Sequence, residues 1–197
     1  MMIRLFLACV IASPAMASCP VGADLASGIR LVQADGTTDD YRALRPGVVE
    51  TISTYTDGYV ARTLLGQGIY VLEVADVVDG SIDPYTQAVF AFRMAASDMP
   101  LPDPNTQMKF GTTVRDGGGL YPENIVIDWG DRATVTYGKC SYAMIPGTFS
   151  HTSDDYDHQE VVHYLPELGI SVLHSYFDDE MTEADIYPVA DIKTIRD

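Results

Sequence analysis

Val48-Val49-Glu50-Thr51-Ile52-Ser53-Thr54-Tyr55-Thr56-Asp57-Gly58-Tyr59-Val60-Ala61-Arg62-Thr63-Leu64-Leu65 decides the fold class. Two runs rich in β-branched and aromatic residues flank an Asp-Gly pair, the strongest short-range hairpin signal, because a type I′ turn needs positive φ at both central residues. Outward from this hairpin the same alternation continues. Residues 29–33 form a strand-like run before Asp35-Gly36, residues 69–74 follow Gly66-Gln67-Gly68, and residues 88–94 follow Asp83-Pro84. A β-meander over residues 47–94 is therefore predicted.

Residues 97–105 hold three prolines in nine positions and can be neither interior strand nor helix. They predict a surface connection or hinge between two parts of one sheet. Beyond it, strand-like runs recur at 108–114, 125–129, 133–137 and 141–145, punctuated by Gly117-Gly118-Gly119 and Gly130-Asp131. Residues 161–165 and 170–176 then flank Pro166-Glu167-Leu168-Gly169. If that loop sets the register, Leu165 faces Ile170, His163 faces Val172 and Val161 faces His174, which makes His163 and His174 diagonal neighbours on one face. Short strand-like pieces close the chain at 186–189 and 192–195, and helical periodicity is confined to a fragment at 24–28. The expectation is a mainly β protein, an antiparallel meander or curved sheet or sandwich with little helix, forming one domain over residues 18–197.

Residues 1–17 read as a signal peptide. Arg4 precedes an apolar run from Leu5 to Ala12, and Ala15 and Ala17 supply the small residues that signal peptidase requires. The run is too short to span a bilayer, which needs about 20 apolar residues, and no later segment is apolar enough to do so. A competing cut exists, because Met16-Ala17-Ser18-Cys19 resembles a lipobox, which would place a lipid anchor on Cys19 and make the protein a membrane-anchored lipoprotein. Cysteine arithmetic favours the plain cut. Cys9 leaves with the leader, and Cys19 and Cys140 remain as an even pair in an oxidising compartment, so a disulfide between them is expected in a periplasmic or secreted protein.

The formal charge is −16 over 197 residues, which opposes nucleic acid and anionic lipid as partners. Hydrophobic residues make up 47%, too many for a disordered acidic chain. The chain has no Gly-x-Ser-x-Gly elbow, phosphate-binding loop or dinucleotide fingerprint, and Gly117-Gly118-Gly119-Leu120-Tyr121-Pro122 has proline where a helix would begin. Asp128 and Asp131, flanking Trp129, are a carboxylate pair of the kind a glycosidase uses, although a tight turn explains them equally well.

All four histidines, His151, His158, His163 and His174, fall within 24 residues, beside Asp154, Asp155, Asp157 and Glu160. Imidazoles and carboxylates are the ligands of zinc, copper or nickel. The pattern His158-Gln159-Glu160-Val161-Val162-His163 superficially suggests the zinc-protease motif, but its histidines stand five apart, on opposite faces of a strand. The better metal set is His163 with His174, completed by His151 or His158. Local hydrogen bonding on a half-exposed sheet face is the competing reading of the same residues. The acidic run 153–157 lacks the glycine turn and spaced carboxylates of a calcium loop and reads as solvated.

Twelve tyrosines, with Phe90, Phe92, Phe110, Trp129 and Phe149, sit mostly in strand runs, so a curved sheet could line a groove for an apolar or protein ligand. Binding such a ligand needs no motif that the chain lacks. It is the expected function, with catalysis not expected, no cofactor expected, and divalent-metal binding or metal-dependent chemistry as the alternative.

The export signal, the early Cys19, the β-meander, Gly138-Lys139-Cys140-Ser141-Tyr142 and Tyr164-Leu165-Pro166-Glu167-Leu168-Gly169 together resemble small exported β-proteins of Gram-negative bacteria with no assigned function. The resemblance rests on short motifs. It implies a cell-envelope or periplasmic setting and no active-site residue.

Overall fold

The computed structural model describes residues 18–153 and 157–195. The segment read as a signal peptide and part of the acidic run, 154–156, lie outside the described residues. The described residues form fifteen strands: β1 Ile29–Gln33, β2 Thr38–Arg45, β3 Val48–Thr54, β4 Val60–Gly66, β5 Tyr70–Val78, β6 Ser81–Ile82, β7 Ala88–Ala91, β8 Gln107–Asp116, β9 Gly119–Trp129, β10 Ala133–Tyr137, β11 Cys140–Thr152, β12 Asp157–Leu165, β13 Ile170–Asp178, β14 Asp185–Ile186 and β15 Val189–Thr194. The only helical turns among the described residues are 3-10 turns at Gly22–Ala26 and Ala96–Asp98.

All pairings are antiparallel and join the strands into one sheet that does not close, in the order β14-β13-β12-β11-β9-β8-β7-β5-β4-β3-β2-β1-β15. β6 pairs with β5, and β10 pairs with the first part of β11. Sequence neighbours are thus mostly sheet neighbours, as short turns dictate. One long-range closure brings β15, from the end of the chain, beside β1.

The turns carry the signals read from the sequence, with one exchange of type. At Asp57-Gly58 only Gly58 has positive φ, at 91°, and the amide of Tyr55 donates to the carbonyl of Tyr59, closing a three-residue loop instead of a type I′ turn. The Asp57 carboxylate accepts the Tyr59 amide at 2.9 Å, which holds Asp57 in a conformation that needs no positive φ. The turns with two positive central φ angles are Gln67-Gly68, at 52° and 69°, and Asp79-Gly80, at 51° and 74°.

The curved sheet packs on itself around two clusters. The first gathers Ile29, Leu31, Tyr41, Val49 and Leu65 from the N-terminal strands against Leu165, Ile170 and Val172 of β12–β13 and Tyr137 and Tyr142 of β10–β11. The second gathers Tyr70, Ile125, Ile127, Trp129, Phe149 and Tyr164, with edge-to-face rings such as Trp129 and Phe149 at 5.6 Å. Each fully buried aliphatic side chain contributes about 1.5–3 kcal/mol relative to an exposed one.

Four contacts fasten the first cluster. Cys19 and Cys140 form a disulfide across 121 residues, worth about 4–5 kcal/mol in the chain-entropy model. A thiol so engaged cannot also carry the thioether of a lipoprotein. Tyr142 donates to the carbonyl of Pro20 at 3.1 Å, and Gly22 to that of Glu167 at 3.1 Å. Finally, the turn at Gly68 touches the turn at Gly169 so closely that a Cβ at Gly68 would lie 2.1 Å from the Gly169 carbonyl oxygen. The backbone and hydroxyl of Ser171 both donate to the Gly68 carbonyl there, at 2.7 and 2.9 Å.

The proline-rich segment is strandless, as its composition requires, yet it is more than a surface connection. Met99 is buried in the second cluster against Gly66, and Tyr70 donates to the carbonyl of Pro100 at 2.7 Å.

Candidate functional site

A cavity of about 310 Å³ opens between β2–β5 on one side and β12–β13 on the other. Strand alternation builds it. Asp39 and Tyr41 on β2, Thr51 and Ser53 on β3, and Thr63 and Leu65 on β4 are all odd-numbered and share the face that lines it. Their even-numbered neighbours point away, where Arg62 is held between Glu50 at 2.6 Å and Glu73 at 2.7 Å, and Arg30 on β1 pairs with Asp40 at 2.5 Å.

A bulge on β5 extends the wall. Leu65 pairs with Val71 while Leu64 pairs with Glu73, so Leu72 is the extra residue. Val71 and Val74 then both reach the cavity, and Tyr70 and Leu72 turn toward the second cluster. The opposite wall comes from Glu160 and Val162 on β12 and Ser171 and Leu173 on β13.

A second bulge lies on β13. Leu165 faces Ile170 and His163 faces Val172, but Val161 pairs with Ser175, because His174 is the extra residue. The expected pairing of Val161 with His174 is thereby corrected: an unpaired residue resets the count beyond it, which loop length alone could not reveal. The bulge keeps Tyr176 opposite Glu160 and Asp178 opposite His158.

The cavity is apolar at its centre and polar at its rim. Leu65, Ile69, Val71, Val162 and Leu173 supply the apolar surface. At the rim, Asp39 accepts from Gln33 at 2.9 Å and from Ser53 at 2.6 Å, so its carboxylate is fixed in place. Tyr55 and Tyr187 flank it. The Tyr55 hydroxyl is pushed up by burial first and then by Asp39, and the Tyr187 hydroxyl by burial and then Asp185, Tyr55, Tyr176 and Glu160. Tyr41 donates inward to the carbonyl of Ser171 at 3.2 Å, tying the two walls together.

Two groups stand out because no hydrogen-bond partner meets them among the described residues. The buried Thr51 hydroxyl oxygen has no hydrogen-bond partner among the described residues, which is uncommon for a buried polar atom. Glu160 is half-buried with part of its surface toward the cavity, and no hydrogen-bond donor among the described residues meets its carboxyl. Burial raises its pKa, His151 opposes that shift, and Glu123 adds to it.

Behind Glu160 lie two of the histidines. His151 on β11 faces His158 on β12 directly, and their rings stack at 4.2 Å and 10°. His151 is 8% exposed, stacks on Phe149 at 6.3 Å, and places Nδ1 3.4 Å from Oε1 of the equally buried Glu123. Burial first and His151 second push the His158 pKa down to about 4. His163 and His174 form a second stacked pair at 4.5 Å and 18°, on the other face of β12, where Tyr137 and His163 Nδ1 lie 3.2 Å apart. Burial first and His174 second lower His163 to about 4.

The four histidines therefore fall into two separate pairs. An ion bound to an imidazole lies in the ring plane about 2.0–2.1 Å from nitrogen, and two parallel rings stacked face to face do not direct their nitrogens at one point. No group of three His, Cys, Asp or Glu side chains among the described residues is arranged to hold a metal ion. Asp128 and Asp131 are engaged separately, accepting from Gln107 and from Asn105, each at 2.7 Å.

The second depression in the surface, about 530 Å³ over the β2–β3 turn and Pro166, is lined by no carboxyl or imidazole side chain. No helix among the described residues is long and apolar enough to cross a membrane. No known family, curated protein or solved structure matches the chain.

Sequence reading placed Glu160 beside the histidines and missed the cavity around it. The signal was present in β2–β4, whose inward face alternates Asp39, Tyr41, Thr51, Ser53, Thr63 and Leu65, a mixed polar and apolar face unlike a packed core. Strand β2 itself went unread because Asp39, Asp40, Arg42 and Arg45 hide the alternation.

Proposed function

We propose that this is an exported binding protein that holds a small, mainly apolar ligand in the cavity between β2–β5 and β12–β13. The observation that carries this reading is a preformed space of about 310 Å³ whose lining joins apolar side chains with polar groups that have no hydrogen-bond partner among the described residues, notably Thr51 and Glu160. Its volume equals about ten waters' share of the liquid, which limits the ligand to roughly ten non-hydrogen atoms. The leader at 1–17 and the Cys19–Cys140 disulfide support a periplasmic or extracellular setting.

The test uses mature protein and 1-octanol as the probe, followed by isothermal titration calorimetry. One site per chain is expected, with a negative heat-capacity change from apolar burial. Leu173→Trp fills the space from β13 and should weaken binding at least tenfold, and Thr63→Phe fills it from β4 with the same result. Binding that survives both variants, each shown to be folded by circular dichroism, would place the ligand elsewhere and overturn the proposal.

A further inference from the structure

We infer, building on the cavity reading, that the pocket selects a small amphiphile whose polar end is a cationic amine. Its lining contains two carboxyl groups, Asp39 and Glu160, and no Lys, Arg or His. The nearby arginines face away. Arg30 and Arg62 sit on the reverse side of the sheet in ion pairs with Asp40, Glu50 and Glu73, and strand alternation keeps them there. A positive charge inside the cavity must therefore arrive with the ligand.

The two carboxyls differ in what they still need. Asp39 already accepts two hydrogen bonds at the rim. Glu160 accepts none among the described residues and faces Glu123 from β9, His151 from β11, Tyr176 from β13 and Tyr187 beyond β14, with His158 two residues away on β12 and Asp178 opposite His158. Two basic groups lie behind it, His151, 3.4 Å from Glu123, and His158, stacked on His151, and neither forms an ion pair with Glu160, so no cation among the described residues pairs with that carboxyl. An ammonium group would supply both the missing charge and the missing donors, forming a charge-assisted hydrogen bond away from bulk water. Tyr41, Tyr55 and Tyr187 border the same space, and their ring faces attract cations and disfavour anions.

The experiment compares octylammonium, 1-octanol and octanoate, which share one apolar body, by isothermal titration calorimetry on the mature protein. Octylammonium should bind about tenfold or more tightly than 1-octanol, and octanoate more weakly than either. The affinity of octylammonium relative to 1-octanol should rise with pH through the titration of Glu160, because the cation favours the ionised form of that carboxyl. Glu160→Gln should cut the amine-to-alcohol preference at least fivefold and remove its pH dependence. If 1-octanol binds and octylammonium binds no more tightly, the cavity reading stands and the amine inference falls. If octanoate binds best, or Glu160→Gln leaves the preference intact, the inference also falls. If none of the three binds, the cavity reading itself fails.

Discussion

The two histidine pairs on opposite faces of β12 are chemically alike and differ in their surroundings. Each is a pair of stacked imidazoles, at 4.2 Å for His151 and His158 and at 4.5 Å for His163 and His174. The first is packed among Phe149, Glu123 and Glu160 at the back of the cavity, and the ring nitrogens of His151 have no hydrogen-bond partner among the described residues. The second lies on the other face, with His163 beside the Tyr137 hydroxyl. The difference teaches that ring stacking follows from strand geometry, since opposed and diagonal residues on one face must touch, whereas a buried acid and an open cavity do not follow from it. Function is to be sought on the first face.

The largest expected effect tests that asymmetry directly. His151→Ala removes a ring enclosed between Phe149 and His158, so it should lower stability by about 2–4 kcal/mol, in the range for large core truncations. His163→Ala loses one hydrogen bond and a partly exposed contact, and about 0.5–1.5 kcal/mol is expected. Urea unfolding at neutral pH measures both. Equal costs would break the comparison, because they would mean that the two faces are equally packed.

Acid titration gives an effect of middle size. His158 and His163 have folded pKa values lowered to about 4 from an ordinary 6.5, so the unfolded chain takes up protons first as pH falls. Their contribution is complete above 6.5 and is lost between 6.5 and 4. A full shift of this size corresponds to about 3 kcal/mol, which partial exposure reduces to roughly 1–2 kcal/mol per ring. His163→Phe should therefore lose less stability than the wild type across this window, by that amount. Parallel curves for the two proteins would show that His163 titrates in the folded state as it does in the unfolded chain.

The sheet was legible where alternation and turn residues agree, as in β3, β4, β10 and the two strands around Pro166-Glu167-Leu168-Gly169. The pairing of Cys19 with Cys140 followed from arithmetic once the leader was set aside. What stayed hidden depends on single extra residues and on distant contacts. The bulges at Leu72 and His174 each shift one strand by a residue, and hydrophobic pattern does not announce them. The closure of β15 on β1 and the docking of Gly68 on Ser171 join segments far apart in sequence. The cavity is a product of those same features, since it is bounded by both bulged strands and by walls that the Gly68 contact holds together. Its residues could be named from sequence only as polar positions on strands.

The smallest expected effect has the opposite sign from the others and bears most closely on the site. The Glu160 pKa is raised in the folded protein, by burial first and by Glu123 as well, against the pull of His151. A carboxyl of this kind favours folding most fully below its unfolded pKa, and the benefit fades as pH rises through the folded value, because ionisation is easier in the unfolded chain. Glutamine keeps the shape and never ionises. Glu160→Gln should thus be more stable than the wild type at neutral pH, by about 0.5–2 kcal/mol, and the gain should vanish below about pH 4.5. A loss of stability at every pH would mean that Glu160 has a structural partner, and the case for a waiting ligand would weaken accordingly. A gain confined to the ionised range would identify a charge that the fold carries at a cost, and such strain concentrates where a protein meets its ligand.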